Sequence, residues 1–429
     1  MRILIVGATG FIGSAVAAWL SAQGHHIVAV SRSRQPFGLN RVTHVNLDVT
    51  QATDPAAWLP HLAGVDAVVN CVGTLQDSPG NSTAAVHVEG PIALFKACEM
   101  TGIRRVVHLS AVGVDRATPT AFSRTKLAGD QALMALDLDW VILRPSIVIG
   151  RGAYGGSALL RGLAALPVMP LFPGAGALQL VHLDDLVSTI ESFLQPDAPS
   201  RQAIDVVGPR RFAFEDAVRL FRSWLRWPEA RAIRLPAWAA RPAYLLGDLV
   251  ALLGWRPPVR STAGREILRG AVGDPTRLPQ LTGLEPKDIE ATMAAEPASV
   301  QERWFARLYL LKPLVFGVFS LFWILTGLIS LGPGWKIGMA LMREGGAGET
   351  LGALAVVTGA LADITIGSAI AYRPTARYGL YAALIISLSY AAIGTWLVPR
   401  LWSDPLGPML KIWPIMALNL VALAIYEDR

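Results

Sequence analysis

Cysteine is nearly absent. The two in 429 residues, Cys71 and Cys98, fall in stretches expected to be a buried strand and a helix, where small apolar packing in a reducing compartment is their role. Seven histidines and these two cysteines show no metal-ligand spacing, so no metal is expected. Charge is scarce too. Asp, Glu, Lys and Arg make up 16% of the chain, while apolar residues make up 52%, a high share for a soluble protein.

The apolar excess is uneven. It concentrates after about Trp304, in long runs. The chain is longer than one domain normally runs. Its net charge of +6 and pI of about 9.5 fit either nucleic acid or an anionic membrane surface. No nucleic-acid motif is present and membrane-like segments are, so the bilayer is the expected partner.

The most informative segment is the first. The apolar run Ile3–Val6 leads into Gly7-Ala8-Thr9-Gly10-Phe11-Ile12-Gly13, and a helix-forming stretch follows from Ser14 to Ala22. Glycines at this spacing allow a tight turn and let the backbone approach a pyrophosphate, while the new helix aims free N–H groups at the same anion. Gly7, Thr9, Gly10, Phe11, Ile12 and Gly13 are therefore candidate dinucleotide-binding residues. Strands are expected at residues 2–6, 27–30, 42–47, 67–71, 106–109 and 140–143, alternating with helical stretches such as 91–101 and 123–136. That alternation predicts a doubly wound parallel α/β sheet. The second strand runs into Ser31, Arg32, Ser33 and Arg34. An NAD site usually offers a carboxylate there; Ser31, Arg32 and Ser33 suit a 2′-phosphate better, so NADP(H) is expected over NAD(H). No secretory-type segment precedes the first strand, so this domain is expected to be cytoplasmic.

These residues, together with Asp48-Val49, Asn70-Cys71-Val72-Gly73, Val107–Gly113, Leu143-Arg144-Pro145-Ser146, Val181–Leu186 and Val207-Gly208-Pro209, resemble the short-chain dehydrogenase/reductase superfamily. The likeness is to its atypical branch, the group related to the complex I subunit of about thirty-nine kilodaltons, and it covers about residues 1–295. The resemblance implies roles by position. Asp48 and Val49 would border the adenine, and Cys71, Val72 and Gly73 the ribose and phosphate path. Lys126 would hydrogen-bond the nicotinamide ribose, and Pro145 and Ser146 would sit near the nicotinamide ring. Asp48 is otherwise a turn cap, and Ser110 a group that satisfies the end of its strand.

One departure from the superfamily matters. Its catalytic pair is Tyr-x-x-x-Lys, and this chain reads Phe122-Ser123-Arg124-Thr125-Lys126. The lysine is present and the phenol is not. Three readings follow: Lys126 is itself the acid/base, Ser123 or Ser110 relays a proton through water, or the domain binds NADPH without turning it over.

Residues 150–300 are expected to form a small α/β lobe over the nicotinamide, with the glycine-rich loop Gly150–Gly156 shaping a substrate mouth. The apolar stretch Tyr244–Leu253 is too short to span a bilayer and is expected to be core rather than lipid-facing. His182, at a strand end, reads as packing or capping.

Four apolar stretches follow: Pro313–Leu331, Leu351–Tyr372, Tyr378–Pro399 and about Pro405–Tyr426. Each approaches the length that crosses roughly 30 Å of hydrocarbon. The tail from 301 to 429 resembles the DoxX-like membrane family in span number and placement. Arg303, Arg307, Lys312 and the short link Arg373–Arg377 favour a cytoplasmic start, and four spans return the C-terminus to that side of an inner membrane. Asp363, the one acid inside a span, must face the bundle interior. It is expected to pair with Asn419, to bind a headgroup or proton, or to act protonated as interhelical glue.

The expectation is a membrane-anchored NADP(H)-binding oxidoreductase acting on a quinone, isoprenoid or other lipid. The alternatives are a non-catalytic accessory subunit or redox sensor of a membrane complex, and a lipid-binding bundle gated by nucleotide.

Overall fold

The protein is described here from a computed structural model, over residues 1–32, 38, 41–78, 80–171 and 174–426. Ser33 and Arg34 lie outside the described residues. The chain divides into two compact units. One holds Met1–Asp248 with Pro258–Arg307, the other Leu249–Pro257 with Leu308–Arg429.

Among the described residues all strands belong to the first unit. They are β1 (Arg2–Val6), β2 (His26–Ser31), β3 (Val42–Asn46), β4 (Ala67–Asn70), β5 (Arg105–Leu109) and β6 (Asp139–Pro145). Then come β7 (Ile147–Ile149), β8 (Val168–Leu171), β9 (Leu178–His182), β10 (Gln202–Val206), β11 (Arg211–Phe212) and β12 (Arg231–Arg234). Helices α1 (Phe11–Ala22), α2 (Leu59–Leu62), α3 (Gly90–Thr101) and α4 (Ala121–Met134) connect the first six strands. They are followed by α5 (Gly155–Ala164), α6 (Leu183–Leu194), α7 (Phe214–Trp224), α8 (Ala240–Leu252), α9 (Ser261–Arg269), α10 (Arg277–Thr282) and α11 (Ile289–Ala295).

Seven strands form one sheet in the order β10-β6-β5-β4-β1-β2-β3, and every pairing in it is parallel. The strand order reverses between β1 and β4, which opens a crevice at their C-terminal ends. The central strands are apolar on both faces because both faces are covered. Ile3 and Ile5 pack with Val16, Leu20, Ile190 and Phe193 on one side. Leu4 and Val6 pack with Trp58, Leu94, Phe95 and Leu133 on the other. The six expected strands form. The seventh, β10, was not foreseen, because Asp205 interrupts its apolar run and it lies at the sheet edge.

The remaining strands build the lobe. β9 pairs with β7 in parallel and with β11 in antiparallel, and β8 pairs with β12. Leu160, Leu180, Phe212 and Phe221 fill its core.

The core reading of the stretch at Tyr244–Leu253 fails. In α8 the residues Leu245, Leu246, Leu249 and Leu252 are exposed. The packed face is instead the one carrying Gly247 and Ala251.

The second unit is helical. α12 (Val300–Leu331) runs into it, followed by α13 (Trp335–Glu344), α14 (Glu349–Ala371), α15 (Arg373–Leu397) and α16 (Ile412–Tyr426). Among the described residues α12, α14 and α15 are long and apolar enough to cross a membrane. The expected fourth span is corrected: α16 has 15 residues, roughly 22 Å at 1.5 Å per residue. Its expected first part does not join the helix. Asp404 closes a turn by accepting the Leu406 and Gly407 N–H groups at 2.8 Å each, and Gly407 takes φ +59°. Asp363 is buried and accepts a hydrogen bond from the Tyr390 hydroxyl at 2.9 Å. The expected pairing with Asn419 is not made, since the Asn419 amide donates to the Leu380 carbonyl at 3.3 Å.

Helices α12 and α14 approach closely at glycines. A Cβ on Gly327 would lie 2.4 Å from the Ala360 carbonyl oxygen, and one on Gly367 would lie 2.7 Å from that of Ser320. Gly367→Ala is therefore expected to destabilise the second unit by about 1–3 kcal/mol, as overpacking does. A lowered thermal transition of the detergent-purified protein measures it; an unchanged transition would mean the two helices do not approach this closely.

Candidate functional site

A parallel sheet puts the C-terminal ends of its strands on one edge, and the expected site residues follow those ends. Gly7 follows β1, Ser31 closes β2 with Arg32 next, and Asp48 and Val49 come just after β3. Cys71, Val72 and Gly73 follow β4, Ser110 follows β5, Pro145 closes β6 and Ser146 comes next.

The loop after β1 has the form a phosphate cradle needs. Gly7 takes φ +77°, and its N–H donates to the Val30 carbonyl at 3.0 Å. Gly10, the residue before α1, offers no side-chain cap, so the first-turn N–H groups of Phe11, Ile12 and Gly13 remain for an anion. A Cβ on Gly13 would lie 2.2 Å from the Gly7 carbonyl oxygen, so only glycine lets α1 begin this close to the turn. Thr9 sits in the loop. The Phe11 ring stacks on Tyr154, centroids 6.3 Å apart, and Ile12 packs on the core. This geometry fits a dinucleotide pyrophosphate.

The flanking residues are engaged in part. Ser31 is buried, with its hydroxyl 3.1 Å from His44 Nε2, and Arg32 is exposed. The Asp48 carboxylate accepts the Thr50 N–H and hydroxyl, both at 2.9 Å, which is an Asx turn. Val49 packs against Gly90, where a Cβ would strike the Val49 carbonyl oxygen at 2.1 Å. Burial pushes the Cys71 thiol up to about 12, so it lines the site as a neutral group. The Pro145 carbonyl accepts the Val112 N–H at 3.1 Å, and the Ser146 hydroxyl is buried without a hydrogen bond.

Lys126 sits at the centre. Its Nζ donates to the Val72 carbonyl at 3.0 Å and the Leu109 carbonyl at 2.8 Å, tying the loops after β4 and β5 together. It is 4% exposed. Burial pulls its pKa down to about 8, against the opposing pull of Asp130 and Cys71. An ammonium has three N–H donors, so one remains beyond the two carbonyls.

The rest of the network was not read from the sequence. Asp130, one turn along α4 from Lys126, binds Arg144 Nη2 and Nε at 3.1 Å, and Arg144 Nη1 reaches Asp115 at 2.6 Å. Burial raises the Asp130 pKa, while the nearby Ser110 hydroxyl and Arg144 oppose the shift. The i, i+4 spacing of Lys126 and Asp130 was the one sequence signal for this network.

Phe122 sits edge-on to the His87 imidazole, ring centroids 5.6 Å apart. His87 Nε2 accepts the Thr74 N–H at 3.0 Å, and Nδ1 lies 2.8 Å from the Thr125 hydroxyl. Burial and then the Lys126 charge push the His87 pKa far down, so it stays neutral and bonded at both nitrogens. Ser123 is fully buried in a capping box with Thr120, which removes it from any relay.

The loop Gly150–Gly156 borders a cavity of about 480 Å³ lined by Gly150, Arg151, Arg161, His182, Trp224 and Glu296 among others. The sequence did not mark Arg161, whose buried guanidinium donates to the Gly150 carbonyl at 2.6 Å and lies 5.1 Å from the Trp224 ring centroid. His182, Asp184 and Glu296 bring ligand-type atoms within 4.8 Å of one another. Local partners account for two of them: His182 Nδ1 accepts the Asp184 N–H at 3.3 Å, capping α6, and Glu296 pairs with Arg151 at 3.8 Å.

A doubly wound parallel sheet with a glycine cradle at its switch point and a buried lysine beside it defines a dinucleotide-binding domain of the dehydrogenase/reductase kind. Residues 3–206 match the NAD dependent epimerase/dehydratase family, and residues 320–420 match the DoxX-like family. The first match lies in the nucleotide domain and the second in the helical unit. An uncharacterized protein of Mycobacterium tuberculosis is 25% identical over 214 residues, covering 50% of this chain; the chain spans only 22% of that relative's length. The mitochondrial NADH-ubiquinone oxidoreductase 40 kDa subunit of Neurospora crassa is 22% identical over 295 residues, covering 66% of this chain and 76% of the relative. Among solved structures, the Bordetella bronchiseptica enzyme WbmG in complex with NAD aligns with TM-score 0.55 at 19% identity, over 72% of this chain and 96% of that one. That likeness shows the fold.

Removing one partner of the buried Asp130–Arg144 pair strands the other charge. Arg144→Ala is expected to cost about 3–5 kcal/mol, and the double variant Asp130→Leu, Arg144→Met much less. Thermal unfolding of the three proteins measures this; equal losses in both variants would mean the pair is not the stabilising contact.

Proposed function

We propose that the chain is a membrane-anchored oxidoreductase that binds NADP(H) in preference to NAD(H) and reduces or oxidises a hydrophobic substrate dissolved in the bilayer, a quinone, isoprenoid or other lipid. The observation that carries this reading is Lys126, a buried ammonium with a pKa near 8 and an N–H to spare, beside an open glycine cradle. The fusion to apolar helices raises the effective concentration of a membrane substrate at the site. The arginines in the first turns of α12 and of α15 support an orientation with the nucleotide domain and both termini on the cytoplasmic face of the inner membrane.

In this reading the first-turn N–H groups of α1, with Gly7, Thr9 and Gly10, hold the pyrophosphate. Arg32 meets the 2′-phosphate, joined by Ser31 and Ser33, and Asp48 and Val49 border the adenine. Cys71, Val72 and Gly73 line the ribose path, Lys126 binds the nicotinamide ribose, and Pro145 and Ser146 flank the ring. The bound nucleotide supplies hydride chemistry. Lys126, in its protonated form, supplies the proton that a reduced carbonyl oxygen takes up, and Ser110 supports the loop that Lys126 holds. WbmG, which binds NAD, supports the cofactor class.

A second reading has an observation of its own. Phe122 in the phenol position and a neutral His87 favour a domain that holds nucleotide without turnover, as an accessory subunit or sensor of a membrane complex. The similarity to an NADH-ubiquinone oxidoreductase subunit supports it.

Calorimetric titration with NADPH and NADH, on the native protein and Gly13→Ala, tests the binding step. NADPH is expected to bind more tightly than NADH, and the variant to lose at least about tenfold, roughly 1.4 kcal/mol. Absence of binding to either nucleotide sinks both readings. Turnover with a bilayer-dissolved carbonyl or quinone then separates them. Lys126→Ala is expected to cost about a hundred- to ten-thousandfold. Because the lysine donates its proton below its pKa and has lost it above, NADPH-driven reduction should hold steady below about pH 8 and fall as pH rises through it. Tight binding without turnover, with a co-purifying partner, favours the second reading.

A further inference from the structure

The two faces of α8 have different surroundings. Tyr244, Gly247, Asp248 and Ala251 recur at helical spacing on the packed face. A Cβ on Gly247 would lie 1.8 Å from the Val259 carbonyl oxygen, Asp248 pairs with Arg260 Nε at 3.0 Å, and Tyr244 lies against Gly264. Leu245, Leu246, Leu249, Leu252 and Leu253 recur on another face and are 61, 62, 62, 71 and 41% exposed. Trp238, just before the helix, is exposed as well. A contiguous leucine face of this kind is not left in water by a soluble monomer.

The end of the helix indicates what covers it. The Leu253 carbonyl accepts the Arg373 N–H at 2.9 Å. Trp255 Nε1 donates to the Ala371 carbonyl at 2.6 Å, and its ring centroid lies 4.6 Å from that of Phe316. Ala371 ends α14 and Arg373 begins α15, so the C-terminal end of α8 is fixed where two apolar helices turn around. The start of α15, Arg373–Arg377, carries only positive charge. An indole and arginines at this level are what the headgroup zone of a bilayer selects.

We infer that α8 lies in the plane of the membrane interface, with its leucine face in the acyl boundary of an anionic lipid surface, as an attachment separate from the spans. This rests on the membrane reading of the second unit. Its value to the candidate site follows from the next segment. Arg260 Nη1 donates to the Asp77 carbonyl at 2.9 Å, Glu266 accepts a hydrogen bond from the Thr120 hydroxyl, and Arg269 donates to the Val112 carbonyl at 3.0 Å. Asp77 lies in the loop after β4, Val112 in the loop after β5, and Thr120 caps the helix that carries Phe122 and Lys126. The segment that follows α8 thereby bonds three elements at the rim of the candidate active centre.

Single cysteines replacing exposed residues test this in the full chain. Leu246→Cys and Leu249→Cys, with Ile385→Cys in α15 as the reference, are labelled with an environment-sensitive fluorophore. The proteins are reconstituted in vesicles of phosphatidylcholine and phosphatidylglycerol that contain lipids spin-labelled at a shallow or a deep acyl position. Cys98 is buried, and burial holds both native thiols up at about 12, so the background labelling is low. The α8 labels are expected to lose emission to the shallow quencher and to be protected from aqueous iodide, while the Ile385 label loses it to the deep quencher. An α8 label quenched by iodide and not by lipid overturns the inference and leaves the membrane reading intact. Shielding from both quenchers also overturns it, since a protein would then cover the face. A label at Ile385 insensitive to lipid overturns the membrane reading itself.

Discussion

A single buried ammonium organises the centre of the nucleotide domain. Lys126 Nζ bonds the carbonyls of Val72 and Leu109, so the loops leaving two neighbouring strands are held by one cation. Such a charge is costly to bury unless it is compensated. The compensation runs back through α4 to Asp130, then to Arg144 on β6 and to Asp115. Because these groups sit on a helix, a strand and a loop, the sheet and the rim of the crevice are fixed together. The lowered pKa of Lys126 is a consequence of the same burial.

This arrangement gives the replacement of tyrosine by Phe122 its meaning. Lys126 bonds the Val72 and Leu109 carbonyls, and position 122 offers it no phenol. His87, edge-on to Phe122, is bonded at both nitrogens and held neutral, and Ser123 is spent on capping. The enzyme and subunit readings proposed above therefore part at Lys126.

Much of this was legible locally. The run Ile3–Val6 followed by three spaced glycines marks a strand, a turn and a helix start, since the reason for glycine at 13, contact with the Gly7 carbonyl, is a short-range one. Strands β1, β2, β4, β5 and β6 were legible because burial on both faces makes their runs largely apolar. The edge strand β10 was not, since Asp205 breaks its pattern. The fourth apolar stretch read as a span by hydropathy, while a turn at Asp404 and Gly407 shortened it to α16. In the site, Lys126 and Phe122 were visible through their spacing. Arg144 and Arg161 were not, because nothing local distinguishes an arginine that will be buried from one that will be solvated.

The sequence alone determined the kinds of element and their order: a glycine cradle between a strand and a helix, an alternating α/β domain, and a run of apolar helices after it. Each of these depends on periodicity, turn chemistry or apolar length, which act over a few residues. Tertiary structure decided which faces are covered. The four leucines of α8 read as core in one dimension and lie exposed in three, because Gly247 and Ala251 took the packed side. Asp363 met Tyr390 rather than Asn419, because α15 presents its hydroxyl at that depth and α16 does not bring its amide there. Partner choice depends on distance in space, and no spacing along the chain encodes it.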